Sequence, residues 1–136
     1  MRAKTLCLDI GAKVIGVAIS DAFGTLAFAR EEILWGGRAE VLEAALRHLL
    51  LEEPQIHAVV VGLPRDPAPA MAAAYTVVTG LLADLGLPIA PVDEHVSTAE
   101  AKNRAADLEE ELGRPLEARR LDSLAAQIIL ERYLTP

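Results

Sequence analysis

The sequence predicts an α/β fold in which a mixed five-stranded sheet is flanked by helices. Two neighbouring segments rich in β-branched residues, 5–10 and 14–20, are separated by a short stretch that contains Gly11, which is typical of a β-hairpin. Further along the chain, apolar strand-like segments alternate with segments of helical periodicity. This alternation indicates parallel strands joined by helices, so the sheet combines a three-stranded antiparallel meander with parallel strands.

The first half of the chain completes the meander and begins the alternation. Residues 25–34 are expected to form the third strand, antiparallel to the second. Residues 38–51 are expected to form a helix, because their apolar positions recur at helical spacing. Residues 57–62 are almost continuously apolar, which is typical of a strand that is buried on both faces.

The second half of the chain is expected to contain three helices and one strand. A helix over residues 69–85 would end at Gly86, and residues 88–92 would form the fifth strand. Ser97 and Glu100 fit a capping box, which predicts a helix from Ser97 to about Leu112. A last helix is expected to begin at Pro115 and to run to about residue 134.

Length and composition limit the classes of protein that the chain could belong to. Its 136 residues suit a single domain over 1–136, and a hydrophobic content of 52% argues against disorder. No apolar run reaches the roughly 20 residues of a membrane helix, and one cysteine excludes an intramolecular disulfide. A cytoplasmic protein without membrane partners is expected. The net charge of −7 argues against a general nucleic-acid coating role, but not against a nuclease.

Three acidic positions are expected to meet at one edge of the sheet. Asp9 ends the first strand, the pair Asp93-Glu94 follows the fifth strand, and Asp122 lies near the start of the last helix. The carboxyl ends of parallel strands form the usual ligand crevice of such sheets. Asp122 also heads the apolar stripe of its helix, made by Ala125, Ala126, Ile129 and Leu130. A simple helix cap remains an equally good interpretation of Asp122.

Carboxylates that converge in this way repel one another unless a cation lies between them. Oxygen ligands suit Mg²⁺ or Mn²⁺. Two such ions, roughly 4 Å apart, would clamp the attacking water and the leaving oxygen of a phosphodiester. A zinc hydrolase is disfavoured, because the sequence has no histidine pair at metal-binding spacing.

Four segments, taken together and in order, resemble the YqgF/RuvX family of Holliday-junction-resolvase-like proteins. They are Leu8–Asp21, Val60–Pro64, Asp93–Thr98 and Asp122–Leu130, and the resemblance covers nearly the whole chain. It implies an RNase H-like fold and a metal-dependent endonuclease that hydrolyses phosphodiester bonds in structured nucleic acid. The implied substrates are pre-16S rRNA or a four-way DNA junction. Asp9, Glu94 and Asp122 match the family's metal-binding, catalytic carboxylates.

The resemblance also implies residues that contact nucleic acid, and it shows two departures. Lys13 matches a basic turn residue, Thr98 matches the motif threonine, and Arg120 falls near a basic region before the last aspartate. Val14 replaces a second basic turn residue, and His95 replaces the arginine after Asp-Glu. These changes put substrate affinity in question more than metal binding. His95 could still donate to a phosphate, and a helix-start residue without such a role is an equal alternative.

Further basic residues could line the path of the phosphates, although a solvated surface position is the more common role for each. They are Lys13, Arg65, Lys102, Arg119 and Arg120. Trp35 is predicted to be a packing residue.

Two other functions compete with the nuclease. A non-catalytic nucleic-acid-binding factor on the same fold, acting in ribosome maturation or transcription, is favoured slightly by the acidic charge and the missing arginine. A sugar-kinase-like ATPase also uses an Asp-x-Gly strand turn, but its two-lobed cleft would not fit in this length. Paired cleavage of a junction would favour a two-fold homodimer.

Overall fold

The described residues form a five-stranded mixed sheet with helices on both faces, as predicted. The computed structural model describes residues 3–93, 96, 98–116 and 123–135, with the backbone alone at 98. The strands are β1 (Lys4–Asp9), β2 (Val14–Ser20), β3 (Ala27–Leu34), β4 (Ile56–Gly62) and β5 (Ile89–Val92). Their order across the sheet is β3-β2-β1-β4-β5. The first three strands are antiparallel, while β4 and β5 run parallel to β1.

Four described helices connect and cover these strands. They are α1 (Ala39–Glu52), α2 (Pro69–Asp84), α3 (Thr98–Leu112) and α4 (Leu124–Leu134). Among the described residues, none of the helices combines the length and the apolar character needed to cross a membrane.

The alternation along β1 divides the hydrophobic core into two layers. Leu6, Leu8 and Ile10 are buried in one cluster with residues of α1 and α2. Cys7 is buried on the opposite face, in a cluster with residues of α4. Because side chains alternate along a strand, Asp9 points to the same face as Cys7. The position of α4 therefore determines what surrounds Asp9.

The third strand begins two residues later than the predicted boundary because Asp21 holds the preceding turn. Its carboxylate accepts hydrogen bonds from the backbone N–H and the hydroxyl of Thr25, at 2.8 and 2.6 Å. The N–H of Leu26 donates to the same carboxylate at 3.3 Å. These hydrogen bonds lower the pKa of Asp21, and those from Thr25 contribute most. Residues 25 and 26 therefore belong to the turn.

The predicted start of the last helix at Pro115 is wrong. Arg114, Pro115 and Leu116 are not helical, and the N–H of Leu116 donates to Oε2 of Glu109 at 2.9 Å. This bond ties the chain back onto α3, so the helix does not restart there. The described part of the last helix begins at Leu124. The Ser97 cap predicted for α3 lies outside the described residues.

Glu53, next to the end of α1, is expected to contribute a pH-dependent part of the stability. It accepts hydrogen bonds from Arg30 at 2.8 Å and from Lys4 at 3.0 Å. These two partners lower the pKa of Glu53 below its ordinary value of 4.5, and the hydrogen bond from Arg30 contributes most. The stabilisation is therefore present above about pH 4.5 and is lost as the pH falls through the lowered pKa.

We expect Glu53→Gln to lower the free energy of unfolding by about 1 kcal/mol at pH 7. The difference from the parent should be smaller at pH 3, because the unfolded carboxyl, with its ordinary pKa of 4.5, is largely protonated there and the advantage of the lowered folded pKa is being lost. Urea unfolding at both pH values measures it. Glu110→Gln, on the exposed surface of α3, is the control and should change little at either pH. A Glu53→Gln effect that is equal at pH 7 and pH 3 would contradict the assignment.

Candidate active site

Asp9 lies at the edge of the sheet where the three parallel strands end. It is half-buried, and its strand neighbours are Gly16 on β2 and Gly62 on β4. The next residue, Ile10, continues the contact by donating its N–H to the carbonyl of Gly62 at 3.1 Å. Neither strand neighbour has a side chain. The two residues paired with Asp9 in the sheet therefore add no side chain beside it.

Helix α4 covers β1 on the face to which Asp9 points. At the start of this helix, the hydroxyl oxygen of Ser123 accepts a buried hydrogen bond of 3.0 Å from the N–H of Val17 on β2. On the other side of β1, a Cβ at Gly62 would lie only 3.0 Å from Cδ1 of Ile129. The helix thus contacts both strands that flank β1.

The apolar stripe predicted for the last helix is confirmed over its described part. Ala126, Ile129 and Leu130 are fully buried, while Ala125 is partly buried and packs against the same cluster. Sequence reasoning did not assign a role to Ser123. Although Ser123 occupies the cap position of α4, its side chain makes no capping bond and bonds to β2 instead.

Ser123→Ala is expected to loosen α4 from the sheet. It leaves the buried N–H of Val17 without an acceptor, which should lower the free energy of unfolding by about 1–3 kcal/mol. Thermal unfolding followed by circular dichroism measures this cost. The control is Thr76→Ala, which removes an exposed hydroxyl bond within α2 and should cost less than about 0.5 kcal/mol. Equal melting temperatures for the two variants would show that the bond does not anchor the helix.

The chain that leaves β5 passes along the same edge. The N–H of Leu63, just after β4, donates to the carbonyl of Val92 at 3.1 Å. Asp93 follows and accepts a 2.8 Å hydrogen bond from Nε of Arg65. Val96 is buried in the cluster that contains residues of α4. Val96 therefore lies on the face of the sheet on which α4 packs.

Three of the predicted phosphate contacts are described: Lys13 and Arg65 lie near this edge, and Lys102 is exposed on α3. Lys13 is exposed in the turn between β1 and β2. Arg65 is paired with Asp93, which raises the pKa of the guanidinium through the hydrogen bond and the opposite charge. The Arg65 side chain is still 89% exposed, so an anionic ligand could reach it. An exposed pair of this kind is weak and can exchange partners.

Several predicted site residues lie outside the described part of the chain. These are Glu94, His95, Arg119, Arg120 and Asp122, together with the side chain of Thr98. Within residues 3–93, 96, 98–116 and 123–135, no group of three or more histidine, cysteine, aspartate or glutamate side chains is placed to hold a metal ion. Of the three predicted carboxylates, the described residues contain Asp9.

A family model described as RuvX, Holliday junction resolvase, matches residues 3–136. The chain belongs to the RuvX family. Relatives carrying the name "Putative pre-16S rRNA nuclease" match it along most of their length. The relative from Oenococcus oeni is 35% identical and the one from Lacticaseibacillus casei 32%, each over 96% of this chain and 93% of its own. A Lactococcus lactis relative is 33% identical over 98% of this chain and 95% of its own.

Solved structures of resolvases share the fold of this RuvX family member. RuvC from T. thermophilus, in complex with a Holliday junction substrate, aligns with a TM-score of 0.59 at 15% identity, covering 97% of this chain and 93% of RuvC. A Fowlpox virus resolvase with Holliday junction DNA aligns with a TM-score of 0.57 at 15% identity, covering 96% of each chain. These likenesses confirm the predicted RNase H-like fold.

Family membership also confirms the predicted class of enzyme. The chain is a nuclease, a hydrolase of phosphodiester bonds. Nucleases and resolvases of this family generally need divalent metal ions.

Proposed function

We propose that this RuvX family member is a metal-dependent endonuclease that cleaves structured nucleic acid during maturation of pre-16S rRNA. The relatives that carry the pre-16S rRNA nuclease name are 32–35% identical over nearly the whole chain. The resolvases that share the fold are only 15% identical. These comparisons favour the ribosomal precursor over the alternative substrate, a four-way DNA junction. We further propose that residues 1–136 act as one domain, in the cytoplasm.

The proposed catalytic residues are Asp9, Glu94 and Asp122, which would together hold Mg²⁺ or Mn²⁺. The main support is the position of Asp9 on the face that α4 covers, at the end of the parallel strands. Glu94 directly follows Asp93, and Asp122 directly precedes Ser123, which is bonded to β2. The positions of these described neighbours support the proposal that both carboxylates meet Asp9. Their oxygen donors fit a hard divalent cation.

The remaining residues would bind and orient the substrate. When bound, the metal ions would supply an activated water and stabilise the leaving oxygen of the phosphodiester. Lys13 and Arg65 are exposed cations at the edge where Asp9 lies, so they can attract the phosphates that flank the scissile bond. The other proposed nucleic-acid contacts are His95, Thr98, Arg119 and Arg120.

A direct comparison of substrates tests this function. The purified protein is given a pre-16S rRNA fragment or a four-way DNA junction, with Mg²⁺, with Mn²⁺, or with EDTA. We expect metal-dependent cleavage of the RNA fragment and slower cleavage of the junction. Faster cleavage of the junction would contradict the preference for pre-16S rRNA and favour a junction resolvase. No cleavage of either substrate with either metal would contradict the nuclease.

A non-catalytic nucleic-acid-binding factor is the second candidate. Three observations favour it: the net charge of −7, His95 in place of the family's arginine, and the pairing of Arg65 with Asp93. Calorimetric titration with Mg²⁺ and Mn²⁺ separates the two functions, because a pure binding module need not hold divalent ions. A two-fold homodimer is proposed only for junction cleavage, and sedimentation with and without a junction would detect it.

A further inference from the structure

Residues that directly follow β3 are hydrogen-bonded to the turn between β1 and β2. The backbone N–H groups of Trp35 and Gly36 both donate to the carbonyl of Lys13, each at 3.0 Å. The indole N–H of Trp35 donates to the carbonyl of Gly11 at 3.2 Å. Both ends of the turn that carries Lys13 are therefore bonded to Trp35 and its neighbour.

The indole ring makes this attachment rigid. Trp35 is only 5% exposed and belongs to the same buried cluster as Ile10 and Ile33. A buried ring that also donates a hydrogen bond has few alternative orientations. The turn it holds begins immediately after Asp9 and contains a cation that faces solvent. Packing alone would not require the indole N–H to reach Gly11.

We propose that Trp35 is a positioning residue, which fixes the β1–β2 turn so that Lys13 meets a phosphate of the nucleic acid bound at Asp9. This inference rests on the proposed function, because it assigns Lys13 to the substrate. Trp35 does not touch the substrate and acts through the backbone of the turn. Its contribution should therefore appear in substrate affinity and should disappear when the Lys13 side chain is absent.

The test is a double-mutant cycle with Trp35→Phe and Lys13→Ala. Phenylalanine keeps an aromatic ring in the cluster and removes the donor to Gly11. We expect Trp35→Phe to raise the KM for cleavage by about three- to tenfold, the effect of one hydrogen bond, with kcat changed less than about twofold. In the Lys13→Ala background, the same change should alter KM less than about twofold.

Ser20→Ala is the matched control. Ser20 is also buried, and its hydroxyl accepts a 2.8 Å bond from the N–H of Thr5 and donates to the carbonyl of Asp21 at 2.9 Å. It lies at the other end of β2, so its loss should lower the melting temperature and leave KM unchanged. If Trp35→Phe behaves like Ser20→Ala, or raises KM equally with and without Lys13, the positioning role is overturned.

A binding measurement separates this inference from the nuclease assignment. The Kd for the same nucleic acid, measured in EDTA, is determined for all four proteins of the cycle. A parent protein that binds in EDTA but does not cleave with Mg²⁺ or Mn²⁺ would overturn the proposed nuclease, and the Kd values of the four proteins would still decide the role of Trp35. A parent that does not bind nucleic acid at all would overturn the positioning role as well.

Discussion

Replacing Asp9 with asparagine is expected to abolish cleavage while leaving the fold intact. Asparagine has nearly the same shape, but it lacks the negative charge that a divalent cation requires. Even residues that only support metal ligands change metal affinity or activity by about 10–100-fold, so losing a ligand should cost more than about 100-fold. Cleavage rates in Mg²⁺ and Mn²⁺, together with calorimetric metal titration, measure both effects.

The control for Asp9→Asn is a variant that loses a carboxylate far from the proposed site. Asp84→Asn serves this purpose, because Asp84 is exposed at the end of α2, away from the edge where Asp9 lies. Its cleavage rate should stay within about twofold of the parent's. The melting temperature of Asp9→Asn should stay within about 5 °C of the parent's, since the side chain is only half-buried. Equal cleavage by Asp9→Asn and the parent would remove this carboxylate from the mechanism.

The layers of the fold were predictable because they depend on periodicity. Alternation along β1 separates Leu8 from Cys7, and the structure places them in different buried clusters. The stripe of α4 was predictable in the same way, since burial repeats with the period of the helix. The position of Asp9 at the end of its strand, on the face of Cys7, follows from the same alternation.

The contacts that shape the site could not be predicted, because they join residues far apart in the chain. Ser123 bonds to a strand residue 106 positions earlier, and Trp35 bonds to a carbonyl 24 positions earlier. No local pattern encodes such a pair, so Trp35 was expected only to pack. The pairing of Arg65 with Asp93 was missed for the same reason. The metal-binding roles of Glu94 and Asp122 remain predictions.

The turn after Asp9 accepts only glycine at position 11, and Gly11→Ala is therefore expected to damage both stability and activity. A Cβ at this position would lie 2.1 Å from the carbonyl oxygen of Val14. That oxygen belongs to the backbone of β2, so relief requires the turn itself to open. We expect the free energy of unfolding to fall by about 3 kcal/mol, the upper end of the usual cost of overpacking.

Opening the turn would also weaken the attachment that positions Lys13. The carbonyl groups of Gly11 and Lys13 both accept bonds from Trp35, and both would move. Cleavage by Gly11→Ala should therefore fall more than about tenfold even when the protein is folded, since the geometry of a site is sensitive to shifts of about 1 Å. Assays at 15 °C, with the folded fraction checked by circular dichroism, separate this loss from unfolding.

Gly80→Ala distinguishes the crowding at Gly11 from a general effect of replacing glycine. Gly80 lies in α2, and a Cβ there would meet nothing within 4 Å. Alanine is favoured over glycine inside a helix, so this variant should be more stable by about 0.5–1 kcal/mol and fully active. The opposite signs expected at the two glycines arise from one cause, the space available to a single carbon atom. A gain of stability in Gly11→Ala would contradict the close approach of Gly11 to Val14 in the turn beside Asp9. The proposal that Trp35 positions Lys13 through this turn would then lose its structural basis.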